Sequence, residues 1–154
     1  MIKKTLLMLV FLSIMACGYE RVISKKDNNK YNFSLNEITF KGDRVLNLKV
    51  KEKLNVYKIN KTDKNFKLII NTTSEKIIIA KDLKGDPTNF KNITTLYVDV
   101  LVSNNIKRKL TYKASYNYSN DKNKSNLKNY EKRIKKNLAE TVTNKLILEL
   151  SNIK

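Results

Sequence analysis

One thiol, Cys17, is the only nucleophilic sulfur in the 154 residues, and it follows an apolar run closed by Ile14-Met15-Ala16. A lone thiol cannot form an intrachain disulfide, so its chemistry is either intermolecular or that of a modification site. Catalytic alternatives are few. The chain has no histidine, which removes the commonest general base and the commonest metal ligand. Its 14 carboxylates are scattered, and three glycines are too few for a phosphate cradle. What remains is positive charge. Lys107-Arg108-Lys109 is the densest basic run near an expected turn, Lys84 stands in a Gly-Pro loop, and both suit charge-assisted hydrogen bonds to phosphates or carboxylates. An enzyme is not expected.

The surroundings of Cys17 define its chemistry. Lys3 and Lys4 precede twelve residues, Thr5 to Ala16, that are almost all apolar. A membrane-spanning helix needs about 20 such residues. A positive n-region followed by a short h-region is the layout of a secretory signal peptide, here residues 1–16. Ile14-Met15-Ala16-Cys17 resembles a bacterial lipobox, with Met15 departing from the usual small or β-branched residue. In lipobox chemistry the thiol takes a diacylglycerol before cleavage and the new amino terminus is then acylated. Cys17 is thus the expected lipid-attachment residue, with no other cofactor, and several acyl chains hold a protein where one would be marginal. Gly18, in place of Asp, makes outer-membrane sorting the default expectation.

Removing residues 1–16 takes away Lys3 and Lys4 and lowers the net charge from +18 to +16. Part of that excess follows from a chain rich in Lys, Asn and Ile. The rest implies an anionic partner, such as an acidic membrane surface or glycolipid. Export argues against nucleic acid as that partner.

These residues need a scaffold. Residues 17–32 read as a polar tether, and 33–154 as one domain. Phe33, Leu35, Ile38 and Phe40 form a first strand ended by Gly42, with Asp43 placed to cap a helix. Leu46, Val50, Leu54 and Tyr57 recur at helical spacing. Phe66 to Ile79 reads as one long bent strand or a hairpin. Lys84-Gly85-Asp86-Pro87 is a loop, and Val98, Val100 and Val102 share a face of the next strand. Leu110, Tyr112, Ala114, Tyr116 and Tyr118 line a fourth strand, with the tyrosines expected as packing beneath the helices. Residues 119–126 read as a loop. Leu127, Tyr130, Ile134, Leu138, Val142, Leu146 and Leu150 then give the strongest helical stripe, with Lys132-Arg133-Lys135-Lys136 on its solvent side or facing a partner. The expected fold is α+β in the order β-α-β-β-β-α. Both helices lie on one face of a four-stranded, mixed or mostly antiparallel sheet, and the other face is open or covered by a partner.

The lipobox with Gly18-Tyr19, "FSLNEITFKGDRVLNLKVKEKL", "KIIIAKDLKGDP" and the closing "NYEKRIKKNL" helix resemble the lipopolysaccharide-assembly lipoprotein LptE (RlpB) family, particularly its small alphaproteobacterial members. The likeness runs over essentially the whole mature chain and is one of pattern and order. It implies a two-helix, four-stranded sandwich, lipid-anchored at the periplasmic side of the outer membrane. It also implies two partners, an LptD-type β-barrel that the protein plugs and lipopolysaccharide. The lipopolysaccharide-binding candidates are Lys107, Arg108, Lys109 and Lys84. A free-standing lipoprotein that binds an anionic polymer or phospholipid, or serves another envelope complex, is the alternative.

Overall fold

A computed structural model describes residues 32–58, 62, 64–103 and 105–153. The signal segment, Cys17 and all of the tether except Asn32 lie outside the described residues. Strand β1 (Ser34–Gly42) leads into helix α1 (Arg44–Leu54), which tightens into a 3-10 turn over Asn55–Lys58. Strands β2 (Asn65–Lys81), β3 (Pro87–Val102) and β4 (Asn105–Ser119) follow, and helix α2 (Lys124–Asn152) closes the chain. The element order is the one the sequence patterning predicts.

The sheet runs β1-β2-β3-β4. Helix α1 carries the chain back across the sheet, so β1 pairs with β2 in parallel, while both later pairings are antiparallel. Residues 66–79 are therefore one continuous strand, not a hairpin. In the register Leu68 faces Val100, Ile70 faces Val98 and Thr72 faces Leu96. Their side chains lie on the face that both helices cover, because alternate residues of a strand point to one side.

Asp43 caps α1 as expected. Its Oδ1 accepts the amides of Val45 at 2.8 Å and Leu46 at 3.1 Å, two donors that the first helical turn leaves unpaired. Gly42 just before it has φ +91°, a conformation that a Cβ disfavours. The helix buries Leu46, Val50 and Leu54. It stops at Leu54, before Tyr57, because the tighter turn stacks Tyr57 on Phe33 with ring centroids 4.7 Å apart.

Helix α2 supplies Ala139, Val142, Leu146, Ile147 and Leu150 to this main core. Its first half makes a second, smaller cluster in which Leu127, Ile134 and Leu138 meet Phe90 and Tyr118. Buried polar residues on the inner sheet face, Thr72, Asn92 and Thr94, lie along the strands between the two clusters. Ser74 donates to the Asn92 side-chain oxygen at 3.1 Å. The helix begins at Lys124, inside the segment expected as loop. Asn123 accepts the amides of Ser125 and Asn126 and so caps it, while β4 extends to Ser119.

Candidate functional site: a cationic face along β4 and α2

Helix α2 runs back antiparallel along β4, so Arg108 meets Glu149 near one end and Tyr118 meets Glu131 near the other. The two elements match in reach. Twenty-nine helical residues cover about 43 Å at 1.5 Å each, and 15 strand residues cover about 48 Å at roughly 3.4 Å per step.

Three acids on α2 tie it to other elements. Glu131 takes Lys76 of β2 at 2.6 Å, Glu140 takes Lys53 of α1 at 2.6 Å, and Glu149 takes Arg108 at 2.9 Å. The hydrogen-bonded Lys53 ammonium lowers the Glu140 pKa, burial opposes it, and the charges of Lys53 and Lys49 add to the lowering. Lys135 turns inward to Asp43 at 3.3 Å, so it leaves the solvent side on which the sequence reading placed it. Burial raises the Asp43 pKa, but the Leu46 amide, Lys135 and the Val45 amide together hold the carboxyl below its ordinary value. With its acids engaged, α2 presents Lys128, Lys132, Arg133 and Lys136 on its exposed side. Lys128, Lys132 and Lys136 have no acidic partner among the described residues.

The sequence-predicted basic residues do not form one site. Lys107, Arg108 and Lys109 lie in β4 itself rather than on the turn. Arg108 pairs with Val100 and Ile106 with Leu101, which leaves Lys107 as the extra residue of a bulge. Arg108 points to the helix side and is engaged by Glu149. Lys109 lies on the opposite face, in register with Asp99. Lys84 sits at the far tip, in the β2–β3 hairpin, where Asp82 Oδ1 accepts the amides of Lys84 and Asp86. Strand β3 has 16 residues, so the two hairpin ends are about 50 Å apart. At that tip Leu83 is fully exposed and Ile78 is half exposed.

Between the β4 edge and α2 lies a groove that the sequence reading did not foresee. One cavity of about 650 Å³ has Ala114, Ile134 and Leu138 as its apolar floor and Arg133 and Lys136 on its wall. A second, of about 910 Å³, continues it toward Lys122 and shares Tyr116, Tyr130 and Arg133. Tyr116 is 49% exposed, so it lines this groove instead of packing beneath a helix. Tyr118 is buried as expected, and Tyr112 is partly buried against the main core. A hydrogen bond with Tyr116, aided by burial, raises the Tyr130 pKa. The Arg133 guanidinium lies 5.4 Å from the Tyr130 ring centre. Chemically the groove offers an apolar trough, two phenols and fixed positive charge. It has the properties of a binding surface.

No helix among the described residues is long and apolar enough to cross a membrane, and those residues contain no acidic or thiol cluster able to hold a metal. No family model matches the chain, and no curated protein matches its sequence. Solved structures do match. Rare lipoprotein B of Shewanella oneidensis superposes with a TM-score of 0.55 at 12% identity, over 76% of this chain and 98% of that one. A minor lipoprotein of Acinetobacter baumannii gives 0.56 at 15% identity, over 78% and 93%. Lipoprotein B of Nitrosomonas europaea gives 0.50 at 13% identity, over 77% and 83%. The two-helix, four-stranded architecture expected from the sequence resemblance is the one found, and it is the fold of these lipoproteins.

Proposed function

We propose that this chain is an outer-membrane lipoprotein, anchored through acyl chains on Cys17, that plugs and helps assemble an LptD-type β-barrel and assists lipopolysaccharide transport. The observation that carries this reading is the fold shared with rare lipoprotein B, found in a chain whose amino-terminal segment has the lipobox pattern. The role is structural and ligand-handling rather than catalytic. Lipopolysaccharide phosphates would meet Lys107 and Lys109 beside the β3–β4 hairpin, with Arg108 held in place by Glu149. Lys84 would form a separate contact at the opposite tip.

Affinity purification of the tagged, lipidated protein from detergent-solubilised outer membranes tests the reading. A large β-barrel recovered in equal amount is expected. Recovery alone, or with a different complex, would overturn the barrel assignment and leave a free-standing binder. Given the barrel, Lys107→Glu with Lys109→Glu is expected to weaken capture of lipopolysaccharide while leaving barrel recovery unchanged.

A further inference from the structure

The geometry points to the outer edge of β4, with the groove beside it, as a docking site for an extended acidic segment of a partner protein that adds a fifth strand to the sheet. This inference does not depend on the barrel or lipopolysaccharide reading.

Among the described residues, strand β4 is the last in the sheet and pairs only with β3. Its outward backbone groups form a ready template for another strand, and extended peptides are recognised in this way when a groove beside the edge receives alternate side chains. Here the groove exists. From Ala114 to Ser119 it follows the strand with α2 as its far wall, a length of about 17 Å that matches six extended residues.

Charge selects the occupant. Strand β4 carries Lys107, Arg108, Lys109 and Lys113 and no acid. A second copy pairing through the same edge would set like charges opposite one another, which disfavours it. An acidic strand meets the opposite situation on both of its faces. Side chains on the open face would lie beside Lys113, which shares that face with Lys109 in the β4 alternation. Side chains on the helix face would enter the trough of Ala114, Ile134 and Leu138 beneath Arg133 and Lys136. Among the described residues that line the two cavities, Asp121, at the far end of the second, is the one opposing carboxylate. The complementary ligand therefore alternates acidic and small apolar residues.

The experiment is residue-resolved amide hydrogen exchange on the full chain reconstituted, free of detergent, in neutral phosphatidylcholine vesicles. The probes are a blocked eight-residue peptide alternating Glu and Val, its Lys-Val counterpart, and phosphatidylglycerol vesicles. The Glu-Val peptide is expected to slow exchange at alternate β4 amides between Thr111 and Ser119 by roughly tenfold or more, and the Lys-Val peptide is not. Lys113→Glu with Arg133→Glu is expected to reverse that preference, and the milder Lys113→Gln with Arg133→Gln to abolish it. Both positions are exposed, so the fold should tolerate either pair. No slowing at β4, equal slowing by both peptides, or slowing by phosphatidylglycerol vesicles without slowing by the Glu-Val peptide would each overturn the proposal. The last result would assign the face to lipid.

Discussion

Replacing Asp43 separates two contributions that the structure places on one side chain. Its Oδ1 holds two amides of the first turn of α1, and its Oδ2 holds Lys135 of α2. Asp43→Ala removes both. Loss of an N-cap acceptor costs about 1 kcal/mol, and loss of a partly exposed ion pair adds roughly 0.5 kcal/mol. The sum, about 1.5 kcal/mol, corresponds to a fall of about 6 °C in Tm for a domain of this size. Asp43→Asn keeps the oxygen that accepts the amides and loses only the charge, so it should cost about 0.5 kcal/mol, or about 2 °C. The pH dependence provides a second readout. The folded carboxyl lies below its ordinary value of 3.8, so its contribution is complete above that pH and is lost as pH falls through the folded pKa. The gap between the native chain and Asp43→Asn should therefore narrow only below about pH 4. Urea and thermal unfolding of the three proteins across pH 3–7 is the assay. Equal losses in the Ala and Asn variants would refute the capping role, and a gap unchanged at low pH would refute the ion pair.

Gly42→Ala is expected to cost on the order of 3 kcal/mol, because a Cβ there would sit 2.0 Å from the Thr72 carbonyl oxygen with φ at +91°. Gly85→Ala, at φ +87° with nothing within 4 Å, should cost only about 1 kcal/mol of backbone strain; urea midpoints compare the two. Arg108→Glu should lower stability by up to about 1 kcal/mol through loss of Glu149, whereas Lys109→Gln, which avoids setting a carboxylate opposite Asp99, should leave the urea midpoint unchanged. Tyr112 is pushed up to about 12 by burial and by Glu149, against a smaller opposing effect of Arg108. A raised tyrosine pKa favours the neutral form in the fold, so stability should fall as pH rises from 10 toward 12, and Tyr112→Phe should flatten that fall in alkaline unfolding.

The parts of the fold legible from sequence are those set locally. Asp43 is followed at once by a helical stripe, and Leu127 to Leu150 steps at three and four without interruption. Alternation alone identified the inner face of β4. It could not show that Tyr116 escapes burial, because that depends on where α2 crosses, a matter of contacts between residues distant in sequence. The Lys107-Arg108-Lys109 run suggests a turn by its polarity, yet lysines also suit an exposed edge strand. The partner that engages Arg108 lies 41 residues away. Asparagine made residues 119–126 look like loop throughout, although Asn123 is a cap. Helix α2 holds seven basic residues against three acids, Glu131, Glu140 and Glu149, so the sequence alone implies that some of its lysines stay uncompensated.

The way the chain enters the domain has a mechanical consequence. Asn32 leads directly into Phe33, which is wholly buried against Tyr57 and Phe66, and then into β1, whose backbone pairs with β2 from Ser34 to Gly42. A pull transmitted through residue 32 along the strand direction would act on β1 in shear, so its pairings would resist together rather than open one after another. Phe33, wedged where the pull begins, would have to leave the core before β1 could slide. A domain loaded along this line would keep its sheet intact until Phe33 left the core.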